Sequence, residues 1–186
     1  MTDQRDVVVL VGSLRKGSHT RLMAKAMMGL APARLAMEIV EIRDLPHYDF
    51  DLEEAPPAAW TTFRERLTRA DAVLFVTPEY NRSVPGALKN AVDVGSRPPP
   101  KSVWRGKPAA VVSVSPGAIG AFGANHHLRQ SLVAVDMPTM AGPEAYIGGA
   151  AKMFDDAGAL TNDATKEFLT KLMVAFDRWV DVNKKM

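Results

Sequence analysis

Residues Val7 to Val11 form an unbroken apolar run that passes directly into Gly12-Ser13-Leu14-Arg15-Lys16-Gly17-Ser18-His19-Thr20. Five apolar, mostly β-branched residues in a row describe a strand buried on both faces, as at the centre of a parallel sheet. A helical pattern begins straight after the turn, with Leu22, Met23, Ala26, Met27 and Leu30 at helical spacing. A strand that feeds a helix through small polar residues builds an anion site, because unpaired N–H groups and the positive helix end converge there. Ser13, Ser18 and Thr20 add hydroxyl donors, and Arg15 adds a guanidinium fork suited to a phosphate monoester. Two readings of the turn stand: a phosphate cradle, or a polar turn in which Ser18 only caps the helix. Neither G-x-G-x-x-G nor G-x-x-x-x-G-K-[ST] occurs in it, so dinucleotide and ATP or GTP loops have no support.

The remaining segments repeat the strand-then-helix alternation. Met37–Ile42 reads as a short strand, Asp71–Thr77 as a second buried strand, Ala109–Val114 as a third, and Pro138–Met140 as a last one. Helices are expected near Trp60–Thr68, Ala87–Val94, Asn125–Val135 and Asn162–Lys184, and Arg97–Lys101 as an extended Pro-rich connection. This pattern predicts an α/β fold, a flavodoxin-like doubly wound five-stranded parallel sheet in the order 2-1-3-4-5 with helices on both faces. A length of 186 residues without repeat or linker fits one domain spanning 1–186. In that topology the loops after the first, third and fourth strands meet at the carboxyl edge of the sheet.

Each of those loops offers something different. The first offers the phosphate cradle. The second, Thr77 to Gly86, is shaped by Pro78, Pro85 and Gly86, so its backbone can face a planar heterocycle with Tyr80 packed beside it. The third, Ser115-Pro116-Gly117, can approach a flat ring closely because Gly117 has no side chain. Phosphate at one end and a polar-edged ring at the other describe a mononucleotide, with FMN the leading candidate.

The sequence resembles the NAD(P)H-dependent FMN reductases, in their chromate and quinone reductase branch. The resemblance rests on Gly12 to Ser18, Thr77-Pro78-Glu79-Tyr80-Asn81, Ser83-Val84-Pro85-Gly86, Leu88-Lys89-Asn90-Ala91, Gly106-Lys107-Pro108 and His127-Leu128-Arg129-Gln130. It implies that Ser13, Arg15, Ser18 and Thr20 hold the FMN phosphate. It further implies that Pro78, Glu79, Tyr80 and Asn81 cradle the isoalloxazine, and that Ser115 and Gly117 border its pyrimidine side. The implied activity is hydride transfer from NADPH or NADH through FMN to a quinone, chromate, ferric chelate or azo acceptor, by ping-pong turnover in a homodimer or homotetramer. Two positions depart from the family pattern: Thr20 stands where Asn is common, and Val94 where Trp is common.

Other features are read structurally. The four histidines have no H-E-x-x-H or i,i+4 pair, so no metal site is expected. Ser13 lacks a G-x-S-x-G setting, and no catalytic side chain is assigned because the cofactor carries the chemistry. Met23, Met27, Met28 and Met173 read as core, Glu53 and Glu54 as a solvated loop end, and Lys89 with Asp93 as a surface ion pair. Trp104, ending the Pro-rich segment, is expected to anchor a partner surface. A net charge of +2 argues against nucleic acid and against an acidic, flavodoxin-like electron carrier, the alternative function. A non-redox nucleotide-sensing module is the third reading. Cysteine is absent, which removes disulfides and thiol chemistry. With no 18-residue apolar run and no apolar core in the first six residues, a cytoplasmic location without a membrane span is the expectation.

Overall fold

A computed structural model of the chain describes residues 4–183. Its strands β1 (Arg5–Val11), β2 (Leu35–Ile39), β3 (Ala72–Thr77), β4 (Ala109–Val114) and β5 (Ala145–Ile147) form one sheet in the order β2-β1-β3-β4-β5. All four pairings are parallel. Between and after the strands run α1 (His19–Leu30), α2 (Ala58–Arg69), α3 (Gly86–Gly95), α4 (Phe122–Ala134) and α5 (Asp163–Val182). The doubly wound, flavodoxin-like architecture is the one the alternation predicts.

The apolar run of β1 divides between two cores. Val7, Val9 and Val11 point into a cluster with Met23, Met27, Leu172 and Phe176 from α1 and α5. Val8 and Leu10 point into the opposite cluster with Trp60, Phe63, Leu88 and Leu128 from α2, α3 and α4. Both faces are covered, which is why the strand carries no polar alternation. Helix α5 is started by Asn162, whose side chain accepts the Thr165 N–H at 2.8 Å, and it buries Leu169, Leu172, Met173, Phe176 and Val180. Near its end, Asp181 takes a hydrogen bond from Arg5 of β1 at 2.9 Å and another from Arg34.

Several expectations are corrected. Strand β2 begins at Leu35 rather than Met37, because its register starts with Arg5 opposite Leu35. Ile42 is buried, but it packs in the α2–α4 cluster and not in the strand. The fifth strand is Ala145–Ile147, not Pro138–Met140. The latter segment touches the sheet only through one bridge between Thr139 and the first residue of β4, leaves it, and returns to pair Ala145–Ile147 with Val112–Val114. Pro99–Lys101 is a 3₁₀ turn rather than extended, with the Lys101 N–H bonded to the Pro98 carbonyl at 2.8 Å.

Trp104 is also corrected. It is fully buried, donates its indole N–H to the Val92 carbonyl at 2.8 Å, and packs against Phe63 and Phe75. It therefore anchors the core and offers nothing to a partner. Glu53 is not a solvated loop end, since its carboxylate pairs with Arg64 at 2.6 Å. The Lys89–Asp93 pair does form, at 2.7 Å.

Candidate functional site

The carboxyl edge of the sheet gathers the three loops. Gly12 leaves β1 with its N–H bonded to Val76 of β3, and a Cβ there would lie 3.1 Å from Pro78, Thr77 and Leu88. The first and second loops are thus in contact. Glycine at this position permits that approach.

In the first loop Ser13 and Ser18 are buried and Arg15, Lys16 and Gly17 are exposed. Ser18 caps α1, its Oγ accepting the Arg21 N–H at 3.2 Å, and Ser13 Oγ accepts the Arg15 N–H at 3.4 Å. The capping reading of Ser18 is therefore correct as far as it goes. Each hydroxyl keeps its own proton for a further acceptor. Thr20 is buried in the first turn of α1. That turn contains no acidic residue, so no local carboxylate offsets the helix dipole. Among the described residues the Arg15 guanidinium has no ion-pair or hydrogen-bond partner. The neighbouring cations are engaged: Arg21 pairs with Glu41 at 2.7 Å, and Arg43 donates to the Leu14 carbonyl. This donor set, two buried hydroxyls, a helix N-terminus without acidic residues and an unpaired guanidinium, suits a phosphate monoester.

The second loop is held more tightly than its sequence suggests. Tyr80 and Ser83 exchange two backbone hydrogen bonds at 3.0 Å around Asn81 and Arg82, both with positive φ (51° and 65°), the geometry of a type I′ turn. Asn tolerates that region; Arg rarely enters it. The turn survives because α4 braces it twice. Glu79 Oε2 accepts the Ala124 N–H at 3.1 Å, and His127 Nδ1 lies 2.9 Å from Ser83 Oγ. Gly123 allows the approach, since a Cβ there would sit 2.7 Å from the Arg82 carbonyl. Pro78 is half-buried, and Tyr80 and Asn81 are exposed at the rim.

The third loop is pinned from below. Ser115 N–H bonds the Ile147 carbonyl at 2.9 Å, and Ser115 Oγ accepts the Gly117 N–H at 3.0 Å, leaving Gly117 exposed. Buried Ser113 donates to the Gly120 carbonyl at 2.7 Å, and Asn125 reaches Ser113 from α4 at 3.3 Å. At the outer end Phe122, His126 and Tyr146 form an aromatic group, the first two rings 4.2 Å apart. Tyr146 donates to Glu144 at 2.8 Å; burial, then this bond, pushes its phenol up to about 12.

Nine of the ten residues singled out from the sequence lie on three adjoining loops and the tenth, Thr20, in the first turn of α1; the Glu79 side chain turns toward α4 rather than outward. Sequence reasoning missed Ser113, Asn125, His127 and Arg43 as supports. A lone Ser inside the apolar strand β4 was the one available signal. No group of three or more metal-ligating side chains occurs among the described residues.

The chain is similar to known proteins in sequence and in fold. A model of the NADPH-dependent FMN reductase family matches residues 5–152. A quinone reductase of Pseudomonas putida is 63% identical over 185 residues, covering 99% of each chain. A 2-hydroxy-1,4-benzoquinone reductase of Burkholderia sp. is 40% identical over 174 residues, covering 94% of this chain and 95% of the relative. Among solved structures, the flavoenzyme NAD(P)H:(acceptor) oxidoreductase FerB of Paracoccus denitrificans superposes with a TM-score of 0.92 at 41% identity, over 97% of this chain and all of that one.

Proposed function

This chain belongs to the NADPH-dependent FMN reductase family, and from that membership we propose how its sheet edge divides the work of a quinone reductase. It is an FMN-dependent, NAD(P)H-using oxidoreductase. Ser13, Arg15, Ser18 and Thr20 take the flavin phosphate; Pro78, Tyr80, Asn81 and the Glu79 backbone flank the ring; Ser115 and Gly117 meet its pyrimidine edge. The observation that carries this assignment is the first turn of α1, bare of acidic residues, preceded in the same loop by Arg15, whose exposed guanidinium has no partner among the described residues. When bound, FMN would supply the redox chemistry, two-electron transfer from NAD(P)H to an acceptor. The protein's part is to bind and orient, so no side chain is assigned a proton-transfer or nucleophilic role.

The edge is open rather than enclosed: Tyr80, Ile119 and Phe122 are about half exposed around it. Those apolar groups suit a planar quinone, and the openness suits a wider range of acceptors, including chromate, ferric chelates and azo compounds. NADPH and NADH are both retained as donors. We take residues 1–186 as one flavin-binding domain, because both apolar clusters lie against the same sheet. A homodimer or homotetramer is proposed on the exposed side chains of Phe122 and Val133 along α4. The proposed location is the cytoplasm, where NAD(P)H is supplied; no helix among the described residues is long and apolar enough to cross a membrane.

The test is direct. Purified protein should carry a yellow flavin band and sustain catalytic NAD(P)H oxidation when a quinone is supplied. Flavin-loaded protein that exchanges electrons with protein partners but never oxidises NAD(P)H would restore the electron-carrier reading.

A further inference from the structure

At the opposite, amino-terminal end of the sheet lies a groove of about 620 Å³. Four cations from three separate segments line it: Arg69, Lys101, Arg105 and Lys107. Asp71 is the single carboxylate on its wall, and its Oδ2 already accepts the Asp6 N–H at 2.8 Å. Arg105 also lies 3.9 Å from Asp136, which is outside the groove's lining, so the groove itself presents four cations against one carboxylate.

The cations are presented by rigid backbone. Arg105 and Lys107 flank Gly106, which has a φ of 67°, in a turn closed by the Lys107 N–H on the Trp104 carbonyl at 3.0 Å. Buried Trp104 fixes that turn to α3 through its bond to Val92. Lys101 sits in the 3₁₀ turn after three prolines. Lys107 extends across the groove to donate to the Ala70 carbonyl. Arg69 and Lys101 have no ion-pair or hydrogen-bond partner among the described residues. A basic residue at the end of α2 complements the helix dipole, which accounts for Arg69. It does not account for three further cations converging from other segments.

We propose that this groove is a binding site for a compact polyphosphate, either free or carried by a nucleoside. Its volume is that of a small-ligand site, not of an extended macromolecular surface. Arginine forks match phosphate oxygens, lysines add point charge, and Val103 and Pro108 give an apolar wall against which a nucleoside could rest. A second groove of about 640 Å³ meets the first at Arg69 and Lys101 and adds Arg64 and Arg97 together with the carboxylates Glu53 and Glu65, so the polyphosphate site is confined to the first groove. Strands β3 and β4, six residues each, hold the site roughly 20 Å from the flavin loops at about 3.3 Å per residue. A ligand here cannot exchange hydride with the flavin, so the site is distinct from the nicotinamide and acceptor positions.

Calorimetric titration of the FMN-loaded protein at physiological ionic strength, with inorganic tripolyphosphate and with ATP, tests the proposal. Both should bind saturably; tighter binding of ATP would show that the nucleoside uses the apolar wall, and equal binding that phosphate alone is read. The double variant Arg69→Gln/Lys101→Gln should lose at least tenfold in affinity while keeping its quinone reductase rate and remaining folded, with at most the small loss of stability expected from Arg69 at the α2 terminus. The double variant Lys25→Gln/Arg178→Gln, exposed cations on α1 and α5, should bind as wild type. Absence of saturable binding, or equal losses in the two double variants, would overturn the proposal in favour of diffuse surface charge.

Discussion

The Glu79 carboxylate crosses from the loop after β3 to helix α4 and accepts the backbone N–H of Ala124 at 3.1 Å. Helix α4 has no cap of its own, because Ala121 precedes it in the left-handed region with no side-chain acceptor. A residue 45 positions upstream thus performs the capping, and in doing so fixes the turn that presents Tyr80 and Asn81. Loss of a helix cap costs about 0.5–2 kcal/mol. Glu79→Ala should lower stability by that order, speed amide exchange at Tyr80 and Ser83, and weaken FMN retention. Glu79→Gln keeps a carbonyl acceptor and should fall between. Unchanged exchange at those two amides in the Ala variant would show that the brace does not hold the turn.

Gly95 and Trp104 test the corrected role of the indole. A Cβ on Gly95 would stand 2.4 Å from the Trp104 ring. Overpacking of this kind costs about 1–3 kcal/mol. Gly95→Ala should lower the denaturation midpoint accordingly and leave the native mass by light scattering unchanged. A change of mass would return Trp104 to an interface.

The contrast between what the sequence discloses and what it hides follows from the range of the interactions. The buried runs Val7–Val11, Ala72–Thr77 and Ala109–Val114 are legible because double-sided burial leaves a local signature of continuous apolar residues. The three loops are legible because Gly, Pro and Ser mark where each strand must turn. The sequence pattern starts helix α4 three residues late because its cap is Glu79, far away in sequence. Strand β5 was misplaced because only three residues, Ala145–Ile147, pair, too few to show a period. From the sequence Trp104 suggests a partner anchor, because its 41-residue reach back to Phe63 is invisible until the chain is folded.

Asp181 gives a pH prediction. Its hydrogen bonds from Arg34 and then Arg5 hold its carboxyl below the unfolded value of 3.8. A depressed carboxylate contributes stability above its unfolded pKa and loses it as the pH falls through its folded pKa. The stability gap between wild type and Asp181→Asn should therefore be constant from neutral pH to about pH 5 and close below about pH 4. A gap that persists unchanged into strong acid would show that the carboxylate charge contributes nothing.

Turnover should be ping-pong if nicotinamide and acceptor use the same open edge in turn. Double-reciprocal plots against NAD(P)H at several quinone concentrations should then be parallel. Intersecting lines would require both substrates to bind together, and so a second pocket beside the flavin.

Arg15 is the sharpest test of the flavin assignment, because its guanidinium is exposed and has no hydrogen-bond or ion-pair partner among the described residues. Pairing with the FMN phosphate would be a charge-assisted bond worth about 1.5–3 kcal/mol. Arg15→Ala should then weaken FMN binding by roughly 10- to 150-fold, about 1.4 kcal/mol being a factor of ten. Arg15→Lys should lose less, since the charge stays while the fork is lost. Because FMN that binds only the folded chain raises stability by RT ln(1 + [L]/Kd), the Ala variant should melt below wild type in excess FMN. The two apo forms should melt alike, as nothing in the folded apo chain depends on the guanidinium. Flavin titrations and melting curves of wild type, Arg15→Lys and Arg15→Ala, with and without FMN, separate the outcomes. Equal affinity in all three would remove Arg15 from the phosphate site, and a deficit confined to the apo form would make it a structural residue.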